Sequence, residues 1–265
     1  MTYQTLQVTE SDRIVTVMLN RPERRNALNP QLIDELLAVI DALAHRNSGV
    51  MILTGRGPAF CAGLDLDHLK SLANKTLDEH RADSERVAHL FRSLYDLPLP
   101  TIAAVNGHAI AGGMGLATIC DFTLSVPEAK FGYTEARIGF IPAIVSCFLV
   151  LQVGEKKARD LLLTARLMPA EEAREMGLVN EVVNDSTLIL RARQLAHQLL
   201  HNSPESLRTT KQLLSEHTKD QLDRQLQAAV ERNANARSTG DFHEGISSFL
   251  EKRTPNWHAP KQGKA

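Results

Sequence analysis

Apolar positions gather in short runs early in the chain and at helical spacings late in it. Leu6 to Val8 and Ile14 to Leu19 predict an antiparallel pair around the polar turn Glu10-Ser11-Asp12-Arg13. Asn29-Pro30 marks a helix start, a capping residue followed by proline at the first helical position, and Leu32, Ile33, Leu36, Leu37, Ile40 and Leu43 then recur at helical spacing. Val50 to Thr54 predicts a buried strand, followed by the glycine-rich loop GRGPAFCAGLDL. From about His68 to Tyr95 the pattern is helical, polar outside, with Leu90, Phe91 and Leu94 as core. Thr101 to Val105 is apolar and β-branched, which predicts a strand. Asn106-Gly107 should break it in a turn with positive φ, and Ala111-Gly112-Gly113 should open a small-residue helix from Met114 to Cys120.

The pattern then shifts. Asp121 to Val126 predicts another strand and Lys130-Phe131-Gly132 a very short one. Gly154-Glu155-Lys156 introduces a helix through Leu163, Pro169 to Ala173 starts a second that stops at Gly177, and Leu178 to Val183 predicts a strand. From about Leu188 everything reads as helix: one to about Asn202, one begun by Ser203-Pro204-Glu205, one from about Lys219 to Ser238 and one from Asp241 to Lys252. Alternation followed by helices alone implies an α/β class. We expect a core over 1–187, a helical region over 188–257 and a disordered tail over 258–265.

Composition removes several classes. The net charge of −1 comes without a basic block, so nothing points to nucleic acid. No apolar run is long enough to span a membrane, and the first residues lack a signal-peptide pattern. Cys61, Cys120 and Cys147 are odd in number and far apart in apolar contexts, which fits free thiols and a cytoplasmic protein. The ten histidines lack zinc spacing, so no metal is expected.

What chemistry remains lies in two glycine-bearing loops, Ala59 to Asp65 and Asn106 to Gly115, each following a short apolar strand. There is no G-x-S-x-G elbow and no Walker lysine. The glycine turn also fails as a dinucleotide fingerprint, because Thr118 stands where a third glycine belongs. Glycines at a helix start leave N–H groups pointing outward, and two such loops can each give one amide to a single oxygen. A tight turn without a ligand explains the second loop equally well.

Here the chain resembles the crotonase superfamily, the enoyl-CoA hydratase/isomerase family. The resemblance rests on Arg21 to Leu28 (RPERRNAL), on Ala59 to Leu66 (AFCAGLDL), on Asn106-Gly107 through Ala111-Gly112-Gly113-Met114-Gly115 with Cys120-Asp121 behind it, on Phe131-Gly132-Tyr133-Thr134-Glu135 with Gly139 and Pro142, and on Phe249 to Arg253 (FLEKR). It implies a spiral of ββα units with a helical C-terminal trimerisation region, a homotrimer or homohexamer, and a coenzyme A thioester as substrate, with no cofactor beyond the CoA it carries. It places the catalytic functions on Glu135 and on the amides of Leu64 and Gly112. It places substrate contacts on Arg24, Ala27, Ala62, Leu64, Asp65, Leu66, Ile110, Gly112, Gly113, Thr134, Gly139 and Lys252. In this pattern the Ala62 and Leu64 carbonyls meet the adenine, Arg24 approaches the CoA phosphates, and Lys252 does so from a neighbouring subunit.

One position departs from the pattern. Hydratases of this family usually carry two glutamates that hold a water; Glu135 stands at the second place and Gly115 at the first. The stretch Phe131 to Pro142 resembles the hydratases, so we expect an enoyl-CoA hydratase, syn addition of water with Glu135 as acid and base. The alternatives are a Δ3,Δ2-enoyl-CoA isomerase using Glu135 alone, a non-catalytic acyl-CoA binding subunit, and a structural protein without ligand. Several residues keep a plain reading beside the functional one. Asp65 suits a helix cap as well as a pocket wall, His108 a structural group as well as a second acid–base group, and Cys61 suits packing.

Overall fold

In the computed structural model, residues 3–46, 48–72 and 75–257 are described. The expected disorder of 258–265 falls outside them. Among the described residues, strands β1 (Leu6–Ser11), β2 (Ile14–Leu19), β3 (Val50–Gly55), β5 (Thr101–Val105), β7 (Phe122–Ser125) and β10 (Glu181–Val182) form one sheet in the order β1-β2-β3-β5-β7-β10. The strands β4 (Ala59–Cys61), β6 (His108–Ile110), β8 (Lys130–Gly132) and β9 (Met168–Pro169) form a second. From β3 to β8 the chain places one strand in the large sheet and the next in the small one, and after the second strand of the first two pairs it returns through helix. That repetition is the ββα spiral. Pairing is parallel except for β1 with β2 and β8 with β9. β3 and β5 are buried at every position, as parallel strands covered on both faces must be.

The helices are α1 (Pro30–Ala44), α2 (Leu66–Leu72), α3 (Leu77–Tyr95), α4 (Gly112–Thr118), α5 (Ala143–Thr164), α6 (Ala170–Glu175), α7 (Leu188–Leu200), α8 (Pro204–Ala236) and α9 (Gly240–Leu250). Asn29 caps α1 by accepting from the Leu32 amide, and Pro30 sits in its first turn. The polar stretch from His68 divides into α2 and α3, because Thr76 and Glu79 form a reciprocal capping box that starts α3. The helices expected from Ser203 and from Lys219 are one helix, α8. No residue near Thr218 breaks the turn, and α3 and α5 pack along it. Within α5 two helical stretches meet at Gly154, whose φ 75° and ψ 164° are not helical; the helix expected from Gly154 starts there, and a further stretch from Ala143 runs into it. Asn106-Gly107 does not turn through positive φ. Instead, the Asn106 side chain accepts from the Gly55 amide and donates to the Gly57 carbonyl. A Cβ on Gly107 would lie 2.3 Å from the Pro58 carbonyl oxygen, so close approach explains that glycine. The strand expected over Leu178 to Val183 shortens to β10.

One large apolar core lies around the main sheet, and a smaller one of Leu69, Leu72, Phe140, Phe242 and Ile246 ties α2 and α9 together. α9 lies tight on the loop after β8: Cβ atoms on Gly139 or Gly245 would fall 2.0 Å from the Asp241 oxygen or 2.2 Å from the Ile138 backbone. The helical C-terminal part therefore folds back onto the rest of the chain. Among the described residues no helix is long and apolar enough to cross a membrane.

Candidate active site

The segment after β2 supports the first glycine loop from below. Asn26, fully buried, accepts from the Arg21 amide and donates to the carbonyls of Arg56 and Ala59. The two segments then pair: the Ala62 amide donates to Arg25, the Leu28 amide to Gly63 and the Asp65 amide to Leu28. Because Gly63 and Asp65 spend their groups on Leu28, the intervening Leu64 amide points the other way, as alternation along an extended strand requires. Asp65 accepts from the Asp67 amide at 2.9 Å and is paired to Arg21 at 2.9 Å, both side chains buried or nearly so. It caps α2, the plainer of its two readings, and also borders the cavity.

The second loop brings its amide to the same place. Ala111 donates to the Gly132 carbonyl and takes φ 52°, ψ −126°, a conformation that side chains rarely adopt. That turn leaves the Gly112 amide in the first turn of α4. Among the described residues neither the Leu64 nor the Gly112 amide donates to another group of the chain. The loops touch: a Cβ on Gly63 would lie 2.8 Å from the Ala111 Cβ and 3.4 Å from the Gly112 nitrogen. Gly113 faces away from the cavity, wedged against the Cys61 carbonyl, where a Cβ would fall at 2.1 Å.

Both amides border a cavity of about 520 Å³. Glu135 borders it from the short 3-10 turn Glu135–Ile138, which Gly139 closes with φ 64°. Its side chain is buried and its Oε2 has no hydrogen-bond partner. Burial pushes its pKa up to about 7, against a smaller lowering by its own backbone amide. Walls are apolar elsewhere: Leu28, Val87, Phe91, Phe140, Ile144 and Val145 among them. Charge is confined to Glu135 and to the loop group Glu23, Arg24, Arg25, Asp65 and Asp67. Arg24 pairs with Asp67 at 2.9 Å with both side chains more than half exposed, so it lies at the open end.

Of the residues singled out by sequence, Arg24, Ala27, Ala62, Leu64, Asp65, Leu66, Ile110, Gly112, Thr134 and Glu135 border this one cavity. Gly113, Gly139 and Lys252 do not; the two glycines hold close backbone contacts, and Lys252 lies exposed beyond α9. His108 is exposed, accepts from the Lys130 amide and does not border the cavity, which favours its structural reading. Cys61 is buried, its thiol pushed up to about 12 by burial, consistent with packing. Phe140, which suits pocket wall or core from sequence, is a wall; Phe91 reads from sequence only as a core position, and Val145, Asn233 and Phe249, the last two reaching the cavity from α8 and α9, carry no site signal in the sequence. Among the described residues no group of three or more potential metal ligands occurs.

Comparison with known proteins agrees with this geometry. The enoyl-CoA hydratase/isomerase family model matches residues 9–260. A Thermus thermophilus protein carrying an enoyl-CoA hydratase name is 45% identical over 94% of this chain and 98% of its own. The crotonyl-CoA hydratase of Syntrophomonas wolfei is 33% identical over 97% and 99%. The crystal structure of an enoyl-CoA hydratase/isomerase from Xanthobacter autotrophicus superposes with a TM-score of 0.88 over 94% of each chain at 29% identity. The family match over almost the whole chain and the 45% identity to a relative, in agreement with a carboxylate and two free amides bordering one cavity, place the chain in the enoyl-CoA hydratase/isomerase family.

Proposed function

We propose that this protein is an enoyl-CoA hydratase that adds water across the double bond of a 2-enoyl-CoA. The observation that carries the reading is the buried carboxylate of Glu135, its Oε2 unpartnered, in the same cavity as the free amides of Leu64 and Gly112. With the thioester oxygen between the two amides, ionised Glu135 takes a proton from water as the water oxygen bonds to carbon 3. The π electrons move onto the thioester oxygen, where the amides hold the negative charge. Glu135 then gives the same proton to carbon 2, which restores its carboxylate. The amides favour the charged state over the ground state, and one such donor contributes about 3–4 kcal/mol. A carboxyl with a pKa near the working pH suits both halves of the transfer. The CoA part would lie over Arg24, Ala62, Asp65 and Leu66 at the charged end, and no other cofactor is required.

A second reading has its own support. Gly115 offers no side chain, and a Cβ there would fall 2.5 Å from the Phe91 ring, so no second carboxylate joins Glu135 from that position. One carboxylate suffices to move a proton from carbon 2 to carbon 4, the Δ3,Δ2-enoyl-CoA isomerase reaction. Assays with but-2-enoyl-CoA and a 3-enoyl-CoA separate the readings: 3-hydroxyacyl-CoA from the first marks the hydratase, conjugation of the second marks the isomerase. Tight binding of both esters without turnover, unchanged in Glu135→Gln, would sink both and leave a binding subunit. For assembly we propose a homotrimer or homohexamer, supported by exposed Leu190, Leu213 and Leu214 on α7 and α8 and measured by sedimentation, and for location the cytoplasm, supported by the three free thiols.

A further inference from the structure

We infer that Phe91 is a specificity-determining residue of this site: with Val145 it closes the space beside Gly115 and admits acyl groups that are unbranched at carbon 2, next to the thioester carbonyl. The inference rests on the acyl-CoA reading above. A Cβ on Gly115 would lie 2.5 Å from Phe91 Cε1 and 2.6 Å from Val145 Cγ1, so these two side chains stand where a side chain at 115 would begin. Phe91 also reaches the other glycine of the helix. Its Cζ lies 3.9 Å from where a Cβ on Gly112 would stand, and Leu28 Cδ1 lies 3.6 Å from the same point.

The Gly112 amide is one of the two donors to the carbonyl oxygen. Carbon 2 is bonded to the carbon that bears that oxygen, and the inference seats it beside Gly112, on the side that Phe91 and Leu28 flank. Packing anchors the Phe91 ring on the side away from the cavity. It is fully buried and packs against Phe148, ring centroids 6.3 Å apart. Close-packed interiors resist even one added methyl group. In a closed apolar pocket, one methyl discriminates by roughly 10- to 200-fold.

The test uses the full-length protein and two esters, but-2-enoyl-CoA and 2-methylbut-2-enoyl-CoA. Wild type should favour the straight ester in kcat/KM by roughly 10- to 200-fold, and Phe91→Ala should narrow that ratio about tenfold, chiefly by raising the branched ester. Phe91→Leu, which keeps most of the volume, should fall between and serves where Phe91→Ala does not fold. The same ratio is read without turnover from calorimetric binding of butanoyl-CoA and 2-methylbutanoyl-CoA. Equal use of both esters by wild type, or an unchanged ratio in folded Phe91→Leu and Phe91→Ala, overturns the inference. If neither enoyl ester turns over but the binding ratio still moves with Phe91, the reaction proposed above fails and the role of Phe91 stands. If no ester binds, both fall.

Discussion

Glu135 and Asp83 are both buried carboxylates, and the protein treats them oppositely. Glu135 stands among apolar side chains with Oε2 unpartnered, and burial lifts its pKa to about 7. Asp83, on α3, is also pushed up by burial. Yet His68 Nε2 donates to it at 2.7 Å and Arg237 Nη1 at 2.6 Å, and these partners outweigh burial and hold it below the usual range. Around Asp83 the polar groups continue: Arg237 also donates to Asn233, which accepts from Ser84, and Arg237 stacks over Phe140 at 5.7 Å. That cluster joins α2, α3 and α8, and Phe140 and Asn233 are at once part of it and of the cavity wall. Partners make a carboxylate structural. Withholding them leaves it free to exchange a proton.

The comparison breaks first at Glu135. Glu135→Gln should lower kcat by roughly 10²- to 10⁴-fold, read in a steady-state assay, with binding of an unreactive acyl-CoA preserved. Wild-type kcat/KM should rise with pH and level off above about 7, because the ionised form takes the first proton. A flat profile between pH 5 and 9 would remove Glu135 from the proton path. Next comes Asp83→Ala. It leaves the Arg237 guanidinium, with no exposed surface, without its counter-ion, and should cost about 3–5 kcal/mol in chemical denaturation.

A smaller effect of opposite sign belongs to Glu135→Gln stability. Unfolded, this carboxyl loses its proton near 4.5; folded, it keeps it until about 7. Folding stability therefore falls as pH rises through that window, and above 7 the cost is fully present. Removing the charge should stabilise the fold by roughly 1–3 kcal/mol at pH 8 and by little below pH 4.5. Gain at pH 8 with loss of turnover would show the two roles separated in one side chain. Smallest is Asp67→Asn, which breaks an exposed pair with Arg24 and should move stability by less than about 1 kcal/mol.

Legibility followed the range of the interactions involved. Asn29-Pro30 was readable because a cap and its helix are neighbours in sequence. The two glycine loops were readable as amide donors, but their meeting was supplied by the family resemblance, since contact between Gly63 and Ala111 depends on the spiral. Asp83 and Arg237 lie in polar helices that read as solvated faces. Their burial comes from α3 and α8 packing together, 154 residues apart in sequence. Phe91 read as core, and it is; that the same ring faces a cavity follows from Gly115 being bare and from α5 delivering Val145 beside it. Helix α8 was divided wrongly because its middle is polar, and polarity alone does not end a helix whose neighbours support it.

The oxygen-holding groups are nitrogen atoms of the main chain, and any genetically encoded residue other than proline brings the same N–H with it. Scanning positions 64 and 112 with alanine would leave the donors in place and report on shape alone. Exchanging the amide itself for an ester linkage, by semisynthesis, is the alteration that deletes a donor while sparing its surroundings.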